Sequence, residues 1–246
     1  MTQKNKKIIA FAGRQRSGKT YLAKVLEKDA GAKIYTIADY LKNLCCELIK
    51  VDYDTLNELK NNKKELDIVP NVLEWSEIIA KQTDIDSLKV YSELKEVKVI
   101  KDVRELLQVI GTNIIRKYKP NWHIDKLIEC IDKSEDKLIA VDDVRFPNEY
   151  EAIKNIGGEV FFIIRTVGIT EEMISNHQSE IALRWTDFPN ERIIINDSDL
   201  QYLENMFMFA YYDGFTSNNS LLLSANFKEF SFDNPLVFED LKCRVK

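Results

Sequence analysis

The sequence predicts an α/β fold, with helices on both faces of a five-stranded, mostly parallel sheet in three layers, and two observations carry that expectation. Apolar runs of strand length alternate with stretches of helical spacing along the chain, the pattern of consecutive β-α units whose strands lie parallel. The second observation is Gly13-Arg14-Gln15-Arg16-Ser17-Gly18-Lys19-Thr20, which fills G-x-x-x-x-G-K-[ST] directly after the apolar run Ile8-Ile9-Ala10-Phe11-Ala12. That motif between a strand and a helix is a phosphate-binding loop, or P-loop.

Taken in order, the first strand is expected at 7–12. The glycines after it let backbone N–H groups and a helix N-terminus face an anion. Lys19 would reach the β- and γ-phosphates of a nucleotide and Thr20 would offer its hydroxyl to Mg²⁺. Tyr21-Leu22-Ala23-Lys24-Val25-Leu26 continues as a helix packed on the sheet, and a second strand is expected at 32–36. Residues 50–101 show weak periodicity and read as an inserted arm, whose charged stretch Glu58–Glu65 is a solvated helix face or loop. A helix follows over 102–116, where Val103, Leu106, Leu107, Ile110 and Ile114 form one apolar stripe. Strands are expected at 138–143, 159–165 and 192–196. The first two of these are continuous apolar runs that finish on charges, as buried strands do whose carboxyl ends meet a ligand. Pro147 opens a helix between them and Gly157-Gly158 stops it. After Tyr212 a polar, turn-rich cluster and irregularly spaced phenylalanines mark a C-terminal extension, 213–246.

Composition sets limits on this architecture. A chain of 246 residues, 45% of them hydrophobic, can bury one substantial core. No apolar stretch approaches the ~20 residues of a membrane span, so a soluble, cytoplasmic protein is expected. Cys45, Cys46, Cys130 and Cys243 lack the spacing of a zinc site or disulfide framework and read as reduced, packing cysteines. A net charge of −5 is unlike the broad basic face of a protein that wraps a nucleic-acid polymer.

Two further groups of residues suit phosphate chemistry. Arg104, Gln108 and Gly111 fall at i, i+4 and i+7, on one stripe of the 102–116 helix. Taken alone they read first as a solvated Arg and Gln beside a helix-packing Gly. Asp143 closes a central strand, where a carboxylate can hold Mg²⁺ directly or through water, and Arg145 follows it with a guanidinium suited to phosphate. Asp143 could instead cap the helix starting near Pro147, and Asp142 is the weaker metal candidate.

The P-loop, Arg104-Glu105-Leu106-Leu107-Gln108-Val109-Ile110-Gly111-Thr112, Trp122, Asp143-Val144-Arg145-Phe146-Pro147-Asn148-Glu149, His177-Gln178-Ser179-Glu180 and Ile193-Ile194-Ile195-Asn196 occur in that order. Over roughly 6–212 this set resembles the phage-type deoxynucleoside monophosphate kinases. The resemblance implies a P-loop kinase domain over 1–212 with an acceptor-binding arm at 50–101 and a short lid at 166–190. It implies transfer of the γ-phosphoryl of ATP, with Mg²⁺, to a deoxynucleoside monophosphate as small-molecule partner, with no nucleic-acid polymer or membrane involved and a homodimer left open. If the chain is phage-encoded, its compartment is the host cytoplasm. Gly13, Arg14, Gln15, Ser17, Gly18, Lys19 and Thr20 would bind the nucleotide, and Thr20 and Asp143 the metal. Lys19, Arg16, Arg145 and Arg165 would supply catalytic cations. Arg104 and Gln108, with Asp143, His177 and Glu180, would serve the acceptor side, although His177 reads equally as a surface-loop histidine. His123 reads as a packed or solvated side chain. The chain departs from the family in one respect: Gly18-Lys19-Thr20-Tyr21 stands where members often carry Gly-Lys-Asp-Thr. A kinase for another small phosphorylated acceptor and a nucleotide-binding regulatory switch also remain open on the sequence.

Overall fold

In the computed structural model, which describes residues 6–62, 64–168, 178–187, 191–212 and 222–223, the expected apolar runs form β1 (Lys7–Ala12), β2 (Lys33–Tyr35), β3 (Leu138–Val144), β4 (Glu159–Arg165) and β5 (Arg192–Asn196). They lie in the order β2-β3-β1-β4-β5, and a two-residue strand, β6 (Leu222–Leu223), extends the β5 edge. All the pairings are parallel. This is a P-loop kinase-like α/β fold whose sheet, among the described residues, is wholly parallel.

The chain divides into two compact units, one of Met1–Thr36 and Ser134–Lys246 and the other of Ile37–Lys133. In the first, alternation of side chains along the strands loads both sheet faces. Ile9, Phe11, Phe161, Ile163 and Ile194 pack with Leu22 and Leu26 of α1 (Lys19–Ala30) and with Leu203 and Phe207 of α10 (Leu200–Tyr212). The Phe207 ring stands edge-on to Phe11 and to Phe161, each with centroids 5.2 Å apart, the arrangement that aromatic quadrupoles favour. On the opposite face α8 (Pro147–Asn155) brings Tyr150 against Phe162. Helix, sheet and helix give the three layers.

The second unit is helical: α2 (Asp39–Ile49), α3 (Tyr53–Asn61), α4 (Val72–Thr83), α5 (Ser87–Leu94), α6 (Val103–Gln108) and α7 (Trp122–Lys133). Leu44, Leu56, Ile79, Leu94, Leu106 and Ile110 are fully buried in its core. This unit takes in all of 50–101, and that stretch is more regular than its periodicity suggests. Asn71 accepts from the backbone of Glu74, and Asp86 from Leu88 and Lys89, so α4 and α5 each start at a side-chain cap. Ile68 and Ile100 form an isolated antiparallel bridge.

One element departs from expectation. The predicted 102–116 helix is α-helical only to Gln108 and continues as a π-helix, Val109–Arg116. Val109, Ile110, Thr112, Ile114 and Ile115 are β-branched and hold α geometry weakly. The i, i+4, i+7 stripe therefore holds for Arg104 and Gln108, whereas Gly111 sits beyond the change of register.

Candidate active site

The P-loop spans the gap between β1 and α1. Gly13 and Gly18 have φ of 142° and 113°, a region that L side chains rarely adopt. Space excludes a side chain as firmly, since a Cβ on Gly13 would lie 2.3 Å from the Ile163 carbonyl oxygen and one on Gly18 2.5 Å from Leu203 Cδ2. Arg16 is also left-handed, at φ 61°, a costly conformation of the kind that clusters at binding sites. Arg14 and Arg16 are exposed and Gln15 half-buried. The Arg14 carbonyl accepts from Ser17 N at 3.3 Å and from Lys19 Nζ at 2.7 Å. Lys19 is buried, and its ammonium stands 3.7 Å from Asp143 Oδ1. Asn196, buried at the end of β5, donates from Nδ2 to the Ser17 carbonyl at 2.8 Å and so props the loop from below.

The register of β1 against β3 slips between Ala10 and Ala12, which pair with Val141 and Val144. One residue of β1, Phe11, thus opposes two of β3, and the extra residue falls at Asp142-Asp143. Bulges of this kind re-aim side chains beside functional sites, and here they separate the two carboxylates. Asp142, 7% exposed, accepts from Thr20 Oγ1 at 3.1 Å and from Thr36 Oγ1 at 2.9 Å. Asp143 pairs with Arg145 Nε at 2.7 Å as well as facing Lys19. The carboxylate bonded to Thr20 is therefore Asp142, the one the sequence ranks second. Nor is Asp143 the helix cap: Phe146 holds that position. The buried Glu149 turns back from the first turn of α8 to accept from Arg145 N at 2.8 Å and Phe146 N at 3.1 Å, which fixes the segment that carries Arg145. Arg165, closing β4, donates from Nη1 to the Arg16 carbonyl at 3.1 Å and from Nε to the Val167 carbonyl at 2.8 Å.

In the helical unit, Asp102 caps α6 by accepting from Glu105 N at 2.9 Å, which sets where Arg104 and Gln108 stand. Both are half-buried. Among the described residues, the buried side-chain polar atoms without a hydrogen-bond partner are Ser17 Oγ and Arg104 Nε. Buried polar atoms normally find a partner, so an orphan calls for an explanation such as a bound ligand. One lies in the P-loop and the other on the residue singled out for the acceptor. His177 lies outside the described residues, and Glu180 falls in α9 (Gln178–Ile181).

His123, 2% exposed, is bonded through Nε2 to the Gly111 carbonyl at 3.2 Å. Since that carbonyl only accepts, Nε2 carries the proton. Burial, with the Arg116 charge as second cause, pushes the imidazole down to about 3 from its ordinary 6.5, and the bond to Gly111 opposes the shift. Below pH 6.5 the unfolded chain takes up a proton that the folded chain refuses, so this group's contribution is complete at neutral pH and is lost as pH falls. Urea unfolding should show wild type losing about 2 kcal/mol more than His123→Gln between pH 7 and pH 5.

Asn196 and Glu149 lie within the quoted motifs, but motif reading gives them no role, because each bonds to the backbone of a distant or preceding residue. The asparagine that ends an apolar strand, and the Glu two residues after Pro147, were the available signals.

The profile of the family described as deoxynucleotide monophosphate kinase matches residues 72–207, more than half of the chain. The chain belongs to the deoxynucleotide monophosphate kinase family. It is also 25% identical over 193 residues to an Acanthamoeba polyphaga mimivirus protein named "Putative deoxynucleotide monophosphate kinase", an alignment covering 72% of this chain and 82% of that one. The matched region of this kinase-family chain includes Arg104, Gln108, Asp142, Asp143, Arg145, Arg165 and Asn196; the P-loop precedes it.

The residues present fit a magnesium nucleotide. Ser17 Oγ is an orphaned donor in the loop, and Thr20 is already joined to a carboxylate. Among the described residues no cluster of three or more His, Cys, Asp or Glu forms a self-contained metal cage. Mg²⁺ beside a nucleotide asks for less, one or two protein ligands with phosphate oxygens and water completing its shell. No helix of the described residues is long and apolar enough to cross a membrane.

Proposed function

We propose that this kinase transfers the γ-phosphoryl group of ATP to a deoxynucleoside 5′-monophosphate, giving ADP and the deoxynucleoside diphosphate. The observation that carries the reading is the P-loop whose Thr20 hydroxyl is bonded to Asp142 while Lys19 lies against Asp143, in a chain of this family. Gly13, Arg14, Gln15, Ser17 and Gly18 cradle the phosphates with their backbone N–H groups. Thr20 and Asp142 serve the metal, with Asp143 holding Lys19 and Arg145 in place. A Mg²⁺ ion held there would supply positive charge against the nucleotide phosphates.

The bond from the γ-phosphorus to its bridging oxygen breaks as a bond to an acceptor phosphate oxygen forms, and the pair of electrons leaves with ADP. A phosphate monoester has its second pKa near 6, so the attacking oxygen is already largely unprotonated at neutral pH and no general base is required. The protein's work is alignment and charge. Lys19, Arg16, Arg145 and Arg165 supply cations for the transferring group. Arg104 takes the acceptor phosphate and Gln108 its sugar or base, with His177 and Glu180 in the lid segment that excludes water on closure.

The reading is tested by ADP release from Mg·ATP with dGMP, dTMP, dCMP, dAMP and the matching ribonucleotides added singly. Turnover should require a deoxynucleotide; nucleotide binding without stimulation by any acceptor would overturn it. The prop under the P-loop is tested separately. Asn196→Ala leaves the buried Ser17 carbonyl without its donor, and calorimetric titration should show nucleotide binding weakened about tenfold, the scale of one unpaired buried group.

A further inference from the structure

His123 has no part in the reaction proposed above, yet its side chain meets the helix that carries Arg104 and Gln108 at its irregular point. Immediately after Gln108 the helix changes from α to π geometry, and π turns are rare and concentrate at functional sites. The segment is held from two directions. A Cβ on Gly111 would lie 2.4 Å from Leu41 Cδ2, so α2 approaches the bare Cα closely. On the carbonyl side, His123 of α7 donates from Nε2 to Gly111 O at 3.2 Å. A carbonyl has two lone pairs, so Gly111 O can take this bond beside its own helical one. The imidazole is itself set by Trp122, whose ring lies edge-on to it at 5.0 Å and whose Nε1 donates to the Gln82 carbonyl at 3.3 Å.

We propose that His123 is a positioning residue: through the Gly111 carbonyl it holds Val109–Arg116 in the π register, and it thereby fixes the placement of Gln108 and Arg104 for the acceptor. A π turn takes one residue more than an α turn. Relaxation of the segment to α geometry would therefore turn the residues on one side of the junction by about 100° against those on the other. The inference rests on the acceptor reading of Arg104 and Gln108.

The test compares wild type with His123→Leu, which removes the donor, and His123→Gln, whose side-chain amide can still reach the carbonyl. Kinetic constants for ATP and for the preferred deoxynucleotide are measured alongside amide hydrogen exchange. His123→Leu should raise the acceptor KM about tenfold, as the loss of one well-placed contact would, leave the ATP KM within about twofold, and speed exchange chiefly over 109–116. His123→Gln should recover most of both effects. An unchanged acceptor KM, or a parallel rise in both KM values with faster exchange throughout, would overturn the proposal. If His123→Leu does not fold, His123→Asn, whose amide falls short of Gly111, takes its place with the same expectations. Absence of deoxynucleotide turnover in wild type would sink the kinase reading instead; unchanged exchange over 109–116 in His123→Leu would still sink this one.

Discussion

Lys19→Ala should keep the fold and lose about a hundredfold or more of its turnover, the usual cost of removing a cation placed on transition-state charge. The ammonium is almost fully buried, against the Arg14 carbonyl and Asp143, so its position is set before any nucleotide arrives. Structural damage should be small for two reasons. Asp143 keeps its 2.7 Å bond to Arg145 when the lysine is gone, so no carboxylate is left buried and unpaired. Alanine is also the best helix former for the first turn of α1. Circular dichroism and thermal unfolding should match wild type while acceptor-dependent ADP formation falls. A variant that kept wild-type rates would remove the P-loop from the mechanism.

The second large effect separates the two adjacent carboxylates. Asp142→Asn should cut kcat about a hundredfold and raise the Mg²⁺ concentration needed for half-maximal rate, the loss expected when a metal-side charge is neutralised. The substitution preserves size, and an amide between the Thr20 and Thr36 hydroxyls can still bond to both, because each hydroxyl can donate or accept. Asp143→Asn should lower the rate by loosening Lys19 and Arg145 while leaving the Mg²⁺ requirement close to wild type. Rates measured across a Mg²⁺ series decide between them. A shifted requirement in Asp143→Asn, with none in Asp142→Asn, would reverse the assignment.

Much of the fold was legible because its signals are local. The strands at 7–12, 159–165 and 192–196 coincide with continuous apolar runs, and buried parallel strands leave no other pattern. The P-loop is contiguous, so its residues declare themselves together. What stayed hidden depends on register or on distant partners. Asp142 and Asp143 are neighbours in sequence, and only the bulge opposite Ala10–Ala12 decides which meets Thr20. The π-helix after Gln108 has ordinary apolar spacing, and the Leu41 and His123 side chains that meet it belong to other helices. Asn196 supports a loop 179 positions away. The helices within 50–101 were obscured by mixed polarity, although Asn71 with Glu74, and Asp86, are start signals that capping chemistry makes readable.

The most direct measurement follows the label from γ-³²P-ATP in the presence of Mg²⁺ and the deoxynucleotide that best stimulates ADP release. The account predicts that label appears in the deoxynucleoside diphosphate in step with ADP, with little free phosphate. Label released to water as inorganic phosphate, with none in the deoxynucleotide, would contradict it.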